Sequence, residues 1–257
     1  MIFTGERYIP GYFRKEDFIS QTHYKRYEFA LDFVIGKKVL DIACGEGYGS
    51  FLLAEKAGEV MGIDIDQNII ANASKKYQRK NLNFMISNAT SIPLKDSCVD
   101  VIVSFETIEH IKSKSQKKFL SETVRLLSQN GVLIISTPDK DIYGEGYNQF
   151  HEREMNNKEF MKLLKNYFFD VQLFGQHILK YSNPSVYKVK RIISRLIKFD
   201  IFKLRHCIPR RWRVQVGQGL NEAVFGKQLF DEGDLFPKKI ADDETSLFLV
   251  AVCRKAV

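Results

Sequence analysis

Val39-Leu40-Asp41-Ile42-Ala43-Cys44-Gly45-Glu46-Gly47-Tyr48-Gly49 is the stretch that decides the fold. An apolar, β-branched run ends in an acid, breaks into alternate glycines and can continue as a helix, which is how a βαβ unit begins. Gly45 and Gly47 let backbone approach a ligand with no Cβ in the way. One strand later, Gly62-Ile63-Asp64-Ile65-Asp66 places a second acid, Asp64, at a strand end, where a carboxylate can accept from both hydroxyls of a ribose.

Outward from this turn, short apolar runs alternate with helical patterns. Strands are expected at Val39–Ile42, Val60–Ile63, Asn83–Ile86, Val99–Phe105, Gly131–Ser136 and Phe169–Phe174, with a seventh at Ser246–Arg254. Helices are expected from Gly47 to Ala57, Asp66 to Arg79, Lys114 to Leu127 and, capped by Asn157, on to Tyr167. About seventy residues separate the sixth and seventh strands, far more than an ordinary connection. The expected organisation is therefore an N-terminal cap segment, 1–36, a core built from 37–175 and 245–257, and a basic insertion, 176–244.

Net charge is +8, but residues 180–213 hold eleven Lys or Arg against one acid, Asp200, so the rest of the chain is slightly acidic. Within that segment Asn183-Pro184 can open a helix with apolar Val186, Val189, Ile193 and Leu196 on one side, and Lys188, Lys190, Arg191, Arg195 and Lys198 elsewhere. Apolar residues at 44% and charged residues at 27% exclude a mainly disordered or collagenous chain. The amino terminus lacks a basic region followed by an apolar run, and no stretch reaches about 18 apolar residues, so a cytoplasmic protein is expected. The four cysteines, Cys44, Cys98, Cys207 and Cys253, have no zinc-like spacing, as reduced thiols would have it.

The glycine turn does not complete the GxGxxG of nicotinamide enzymes, and Asp41 stands where those carry an apolar residue. Asp41, Gly45, Gly47 and Asp64 instead resemble the first two motifs of class I S-adenosylmethionine-dependent methyltransferases, over roughly residues 25–175 and 246–254. That resemblance implies an α/β, Rossmann-like seven-stranded sheet with helices on both faces, and S-adenosylmethionine as cofactor. It implies that Asp41, Ala43, Gly45 and Gly47 lie at the methionine moiety, that Asp64 binds the ribose and that Ile65 lies against the adenine. Asn88 and Ala89, in Ile86-Ser87-Asn88-Ala89, would hold the adenine edge, with Asn88 where the family normally carries Asp. Ser104-Phe105-Glu106-Thr107-Ile108-Glu109-His110 is similar to the motif facing the transferred methyl, which puts Phe105 beside the cofactor and His110 near the acceptor; Glu109 is read as structural.

Methyl transfer is in-line attack on a sulfonium carbon, so alignment and exclusion of water come first. A hydroxyl acceptor is protonated at neutral pH and also needs a base, for which His110 and His151 are the candidates. The same histidines with Glu109 or Glu152 could instead ligate a divalent metal, but their spacing matches no compact ligand motif, and no metal site is assigned. Phe3-Thr4-Gly5-Glu6-Arg7-Tyr8-Ile9-Pro10-Gly11, with His23, Arg26, Tyr27 and Phe150-His151-Glu152, is similar to a bacterial subset associated with surface-glycan or nucleotide-sugar pathways. This second resemblance implies that the cap folds over the cofactor, with Arg26 or Tyr27 near its carboxylate.

The leading expectation is O-methylation of a sugar or a phosphorylated, nucleotide-linked glycan precursor, an anionic small molecule gripped by the basic insertion. RNA methylation is the rival, through Arg210-Arg211-Trp212-Arg213. It is disfavoured because the fourth strand lacks the Asn/Asp-Pro-Pro-Tyr phrase of amino-methylating nucleic-acid enzymes. A third alternative is a scaffold that binds a partner or rests its Val186–Phe199 helix on an anionic membrane. Sequence alone does not specify an oligomeric state.

Overall fold

The computed structural model describes residues 18–143, 151–178, 235–240 and 246–256. Helix α1 (Phe18–Ala30) and a 3-10 turn (Leu31–Phe33) lead into β1 (Lys38–Ile42), α2 (Tyr48–Leu53), β2 (Glu59–Asp64), α3 (Gln67–Lys76) and β3 (Leu82–Ile86). Then come β4 (Val99–Ser104), a 3-10 turn (Ile108–His110), α4 (Ser113–Leu126), β5 (Leu127–Pro138), α5 (Lys140–Tyr143), α6 (Asn157–Leu164), β6 (Asp170–Ile178), β7 (Lys238–Lys239) and β8 (Ser246–Arg254).

The strands form one sheet in the order β3-β2-β1-β4-β5-β8-β6-β7. Strands β1 to β5 pair in parallel, and β8 inserts antiparallel between β5 and β6. The order reverses between β1 and β4, so the chain crosses there and opens a crevice at the carboxyl ends of both strands, the usual ligand position in such sheets.

Alternation along the strands divides the core between two faces. Leu40, Ile42, Ile63, Ile102 and Leu133 pack with Phe119 and Leu120 of α4 and with Phe160 and Leu164 of α6. Val39, Val60, Val101, Val103 and Ile134 point the other way, against Tyr27, Phe29 and Ala30 of α1 and Leu53 of α2. Tyr27, Phe29 and Ala30, within the expected cap segment, thus complete the core on one face.

Three expectations need correction. Among the described residues the sheet has eight strands rather than seven, because Lys238–Lys239, inside the range expected as an insertion, pairs with Phe174 and Gly175 at the edge of β6. That two-residue strand has no periodicity to read. Strand β6 runs on to Ile178 because β8 offers it a partner as far as Ser246. The α6 cap is Asn156, not Asn157: its side chain accepts from the Glu159 amide while Glu159 accepts from the Asn156 amide, a reciprocal box that only this spacing closes. The basic helix expected at Val186–Phe199 lies outside the described residues.

Candidate active site

At the end of β1 the chain turns through Ala43, Gly45 and Gly47, all at positive φ (59°, 54° and 81°). A Cβ on Gly47 would stand 2.8 Å from both Ala73 and Phe84, so close packing as well as backbone sign demands glycine there. A Cβ on Gly45 would meet nothing within 4 Å, which leaves open space beside the turn. The Gly45 amide donates to Asp64 Oδ2 at 3.1 Å and the Asp66 amide to Asp64 Oδ1 at 3.0 Å, so the glycine turn after β1 is tied to the acid that ends β2.

Asp41 lies deeper, wholly buried. It accepts from the Ser50 hydroxyl at 2.6 Å and from the Tyr27 hydroxyl at 3.2 and 3.3 Å. Burial pushes its carboxyl up to about 7, against the opposing pull of the Ser50 and Tyr27 hydrogen bonds. Its carboxylate therefore holds α1 and α2 onto β1. Gly49 allows this: a Cβ there would fall 2.0 Å from the Tyr27 ring.

Ile65 and Ile86, at the ends of β2 and β3, are 66% and 49% exposed, an apolar pair beside Asp64 at the crevice edge. Asn88 folds its amide oxygen back onto the Thr90 amide (2.9 Å) and hydroxyl (3.0 Å), so both lone pairs hold its own turn. Ala89, next in this turn, is partly buried. Phe105 is buried edge-on to Tyr27 at 4.9 Å. The set fits S-adenosylmethionine: an open glycine turn for the methionine end, a carboxylate for the ribose hydroxyls and apolar side chains for the adenine faces.

The sequence offered Arg26 as a contact for the cofactor's carboxylate and Glu109 as structural; the pairings they make in the next layer were not legible in it. Arg26 is fully buried. Its Nη1 donates to Glu106 Oε1 at 2.7 Å and to Ser136 Oγ at 3.4 Å, and its guanidinium lies 4.6 Å above the Phe248 ring. Its Nε and Nη2 have no hydrogen-bond partner among the described residues. Glu106 is at positive φ (50°) and also accepts from the Ser136 hydroxyl at 2.7 Å, so the ends of β4 and β5 and helix α1 meet in one ion pair. Glu109 is wholly buried and pushed well above the ordinary carboxyl range, first by burial and then by the nearby Glu106 charge. The Thr137 hydroxyl donates to its Oε2 at 3.3 Å, while Oε1 has no hydrogen-bond partner among the described residues.

His110 and His151 come together edge to face, ring centroids 4.9 Å apart. The Glu109 carbonyl accepts from the Glu152 and Arg153 amides at 2.8 and 3.2 Å, and Arg153 donates to Gln116, which itself donates to the Ile108 carbonyl. These bonds clamp residues 151–153 onto the turn after β4. Glu154 then meets His151 Nδ1 at 2.9 Å. One donor atom each from Glu109, His110 and His151 lies within 4.8 Å of the other two.

A strand-order reversal, a glycine turn facing an acid-ended second strand and an apolar rim define a nucleotide-type cofactor crevice in a doubly wound α/β protein. A family profile described as methyltransferase domain matches residues 35–198, and the chain belongs to that family. Its relatives include a protein of Mycolicibacterium smegmatis, named a probable S-adenosylmethionine-dependent methyltransferase, 37% identical over 66% of this chain and 65% of that one. One from Mycobacterium tuberculosis with the same designation is 35% identical over 68% of this chain and 64% of its own. The match thus spans just under two thirds of each relative's length.

Among solved structures, the YcgJ protein of Bacillus subtilis superposes with a TM-score of 0.59 at 18% identity, covering 91% of this chain and all of that one. The [4+2]-cyclase SpnF reaches 0.55 at 17%, covering 90% of this chain and 80% of its own, so likeness at this level speaks for the fold alone. Family and relatives' names agree on S-adenosylmethionine as the cofactor. Among the described residues, no helix is long and apolar enough to cross a membrane.

Proposed function

We propose that this protein transfers a methyl group to a hydroxyl of a sugar or phosphorylated glycan precursor. S-adenosylmethionine, when bound, supplies an electrophilic methyl on a sulfonium centre. Gly45 and its open turn, Asp64 and the Ile65–Ile86 rim orient that donor, and Phe105 with Tyr27 excludes water from its methionine side. The acceptor hydroxyl meets His110 and His151. The observation that carries this reading is the pairing of the two imidazoles across separate loops at the carboxyl end of β4. Imidazole is the side chain whose ordinary pKa suits proton removal near neutrality. The eleven cations in residues 180–213 support an anionic acceptor.

The test incubates the protein with methyl-labelled S-adenosylmethionine and, separately, nucleotide sugars, sugar phosphates, RNA and anionic lipid vesicles. Alkali-stable label in a sugar fraction, lowered at least about tenfold by His110→Ala or by His151→Ala, is expected. Label in RNA or lipid alone overturns the reading.

A further inference from the structure

We propose that Glu109, His110 and His151 form a binding site for one divalent transition-metal cation, a ligand set of two imidazoles and one carboxylate. Three independent observations converge on it. The three donor atoms lie within 4.8 Å of one another, somewhat wider than the roughly 3.4 Å between donors about 2.1 Å from a tetrahedral cation, so small side-chain rotations bring them onto one ion. The Glu109 carboxylate is taken wholly out of water with Oε1 unpartnered among the described residues, an arrangement that a cation would satisfy and bare protein leaves costly. Glu154 contacts His151 Nδ1 at 2.9 Å, as an outer carboxylate does when it orients a ligating ring.

Neighbouring groups narrow the choice. Glu106 stands four residues before His110 and has its Oε1 tied to Arg26 and the Ser136 hydroxyl at 2.7 Å each, whereas Glu109 adjoins His110 and keeps a buried oxygen without a hydrogen-bond partner among the described residues, so Glu109 is the carboxylate assigned to the metal. Two imidazoles favour zinc, cobalt, iron or manganese over calcium or magnesium, which prefer all-oxygen shells. The hydrogen bonds from residues 152 and 153 to the Glu109 carbonyl hold both loops in place without the ion, so the site is largely preformed.

This inference rests on the proposed O-methylation for its chemistry. An acceptor hydroxyl on the cation would lose its proton more readily: the O–H bond breaks, the pair stays on oxygen and the proton passes to water. Nothing is oxidised or reduced. The imidazoles then act on the hydroxyl through the cation rather than by taking the proton themselves.

Metal-stripped, untagged full-length protein is titrated with Co²⁺ and followed by visible absorption, with Mn²⁺ and electron paramagnetic resonance as a second probe. One equivalent is expected to bind, at least about tenfold more weakly in His151→Ala and Glu109→Gln, and about ten- to a hundredfold more weakly in Glu154→Gln. Circular dichroism confirms that each variant is folded. Absence of a stoichiometric site, or equal affinity in all variants, overturns the proposal. Sugar methylation that persists undiminished in chelator overturns the metal's part and leaves the O-methylation reading standing. A metal site in a protein that methylates only amines or RNA does the reverse.

Discussion

The Tyr27 hydroxyl donates to the buried Asp41 carboxylate, tying helix α1 to the strand end from which the glycine turn departs. Tyr27→Phe keeps the edge-on ring contacts with Tyr48 and Phe105 but strands one side of a buried carboxylate. Unfolding free energy should fall by about 1 to 3 kcal/mol in urea titration. An unchanged midpoint and slope would mean that the bond adds no stability.

Asp41 should also make stability depend on pH. Burial raises its folded carboxyl from 3.8 to about 7, so between those values the native state keeps a proton that the unfolded chain has released. Its contribution is full below about pH 4, declines as pH rises toward 7 and is flat above that. Asp41→Asn, which can still accept from Ser50 and Tyr27, removes the titration. The wild type should lose stability relative to this variant across pH 4 to 7, at up to about 1.4 kcal/mol per pH unit. Glu109 and Asp139, also raised, cancel in the difference. Parallel stability curves for the two proteins would contradict the burial argument.

For Asp64, replacement by Ala removes the proposed ribose acceptors and also releases the Gly45 amide that fixes the turn. Calorimetric affinity for S-adenosylmethionine should weaken by about 1 to 3 kcal/mol. Unaltered affinity would remove Asp64 from the cofactor site.

His110→Ala and His151→Ala should leave cofactor affinity intact, since the two rings meet each other and His151 meets Glu154, beyond the turn after β4 and away from the glycine turn after β1. At least one of them should lower turnover by about tenfold or more, read as a fall in kcat with unchanged cofactor binding. Full turnover in both would point to an acceptor that needs no deprotonation.

Local signals in the sequence were enough for the first half of the sheet and for the cofactor motifs. The run Val39–Ile42, the glycines at 45 and 47 and the acid at 64 lie within one βαβ unit, where strand periodicity and turn chemistry are short-range properties. Strand β8 was legible for the same reason, as the apolar run Leu247–Cys253 within a nine-residue strand. The position of Asn88 was readable too, but its use of both amide lone pairs on Thr90 depends on the loop's own fold. The edge strand Lys238–Lys239 could not be read, since a two-residue, all-cationic strand exists only because β6 presents an unpaired edge.

The cluster proposed to meet the acceptor was decided by tertiary structure. Arg26, Glu106 and Ser136 are 80 and 30 residues apart in successive steps and meet only where α1 packs across the ends of β4 and β5. His110 and His151 face each other because the Glu109 carbonyl captures two amides of a distant loop, a contact that leaves no periodic trace. Glu109 looked structural beside them. Its wholly buried, unpartnered oxygen depends on how the chain folds over it, because desolvation is set by three-dimensional enclosure and not by neighbours in sequence.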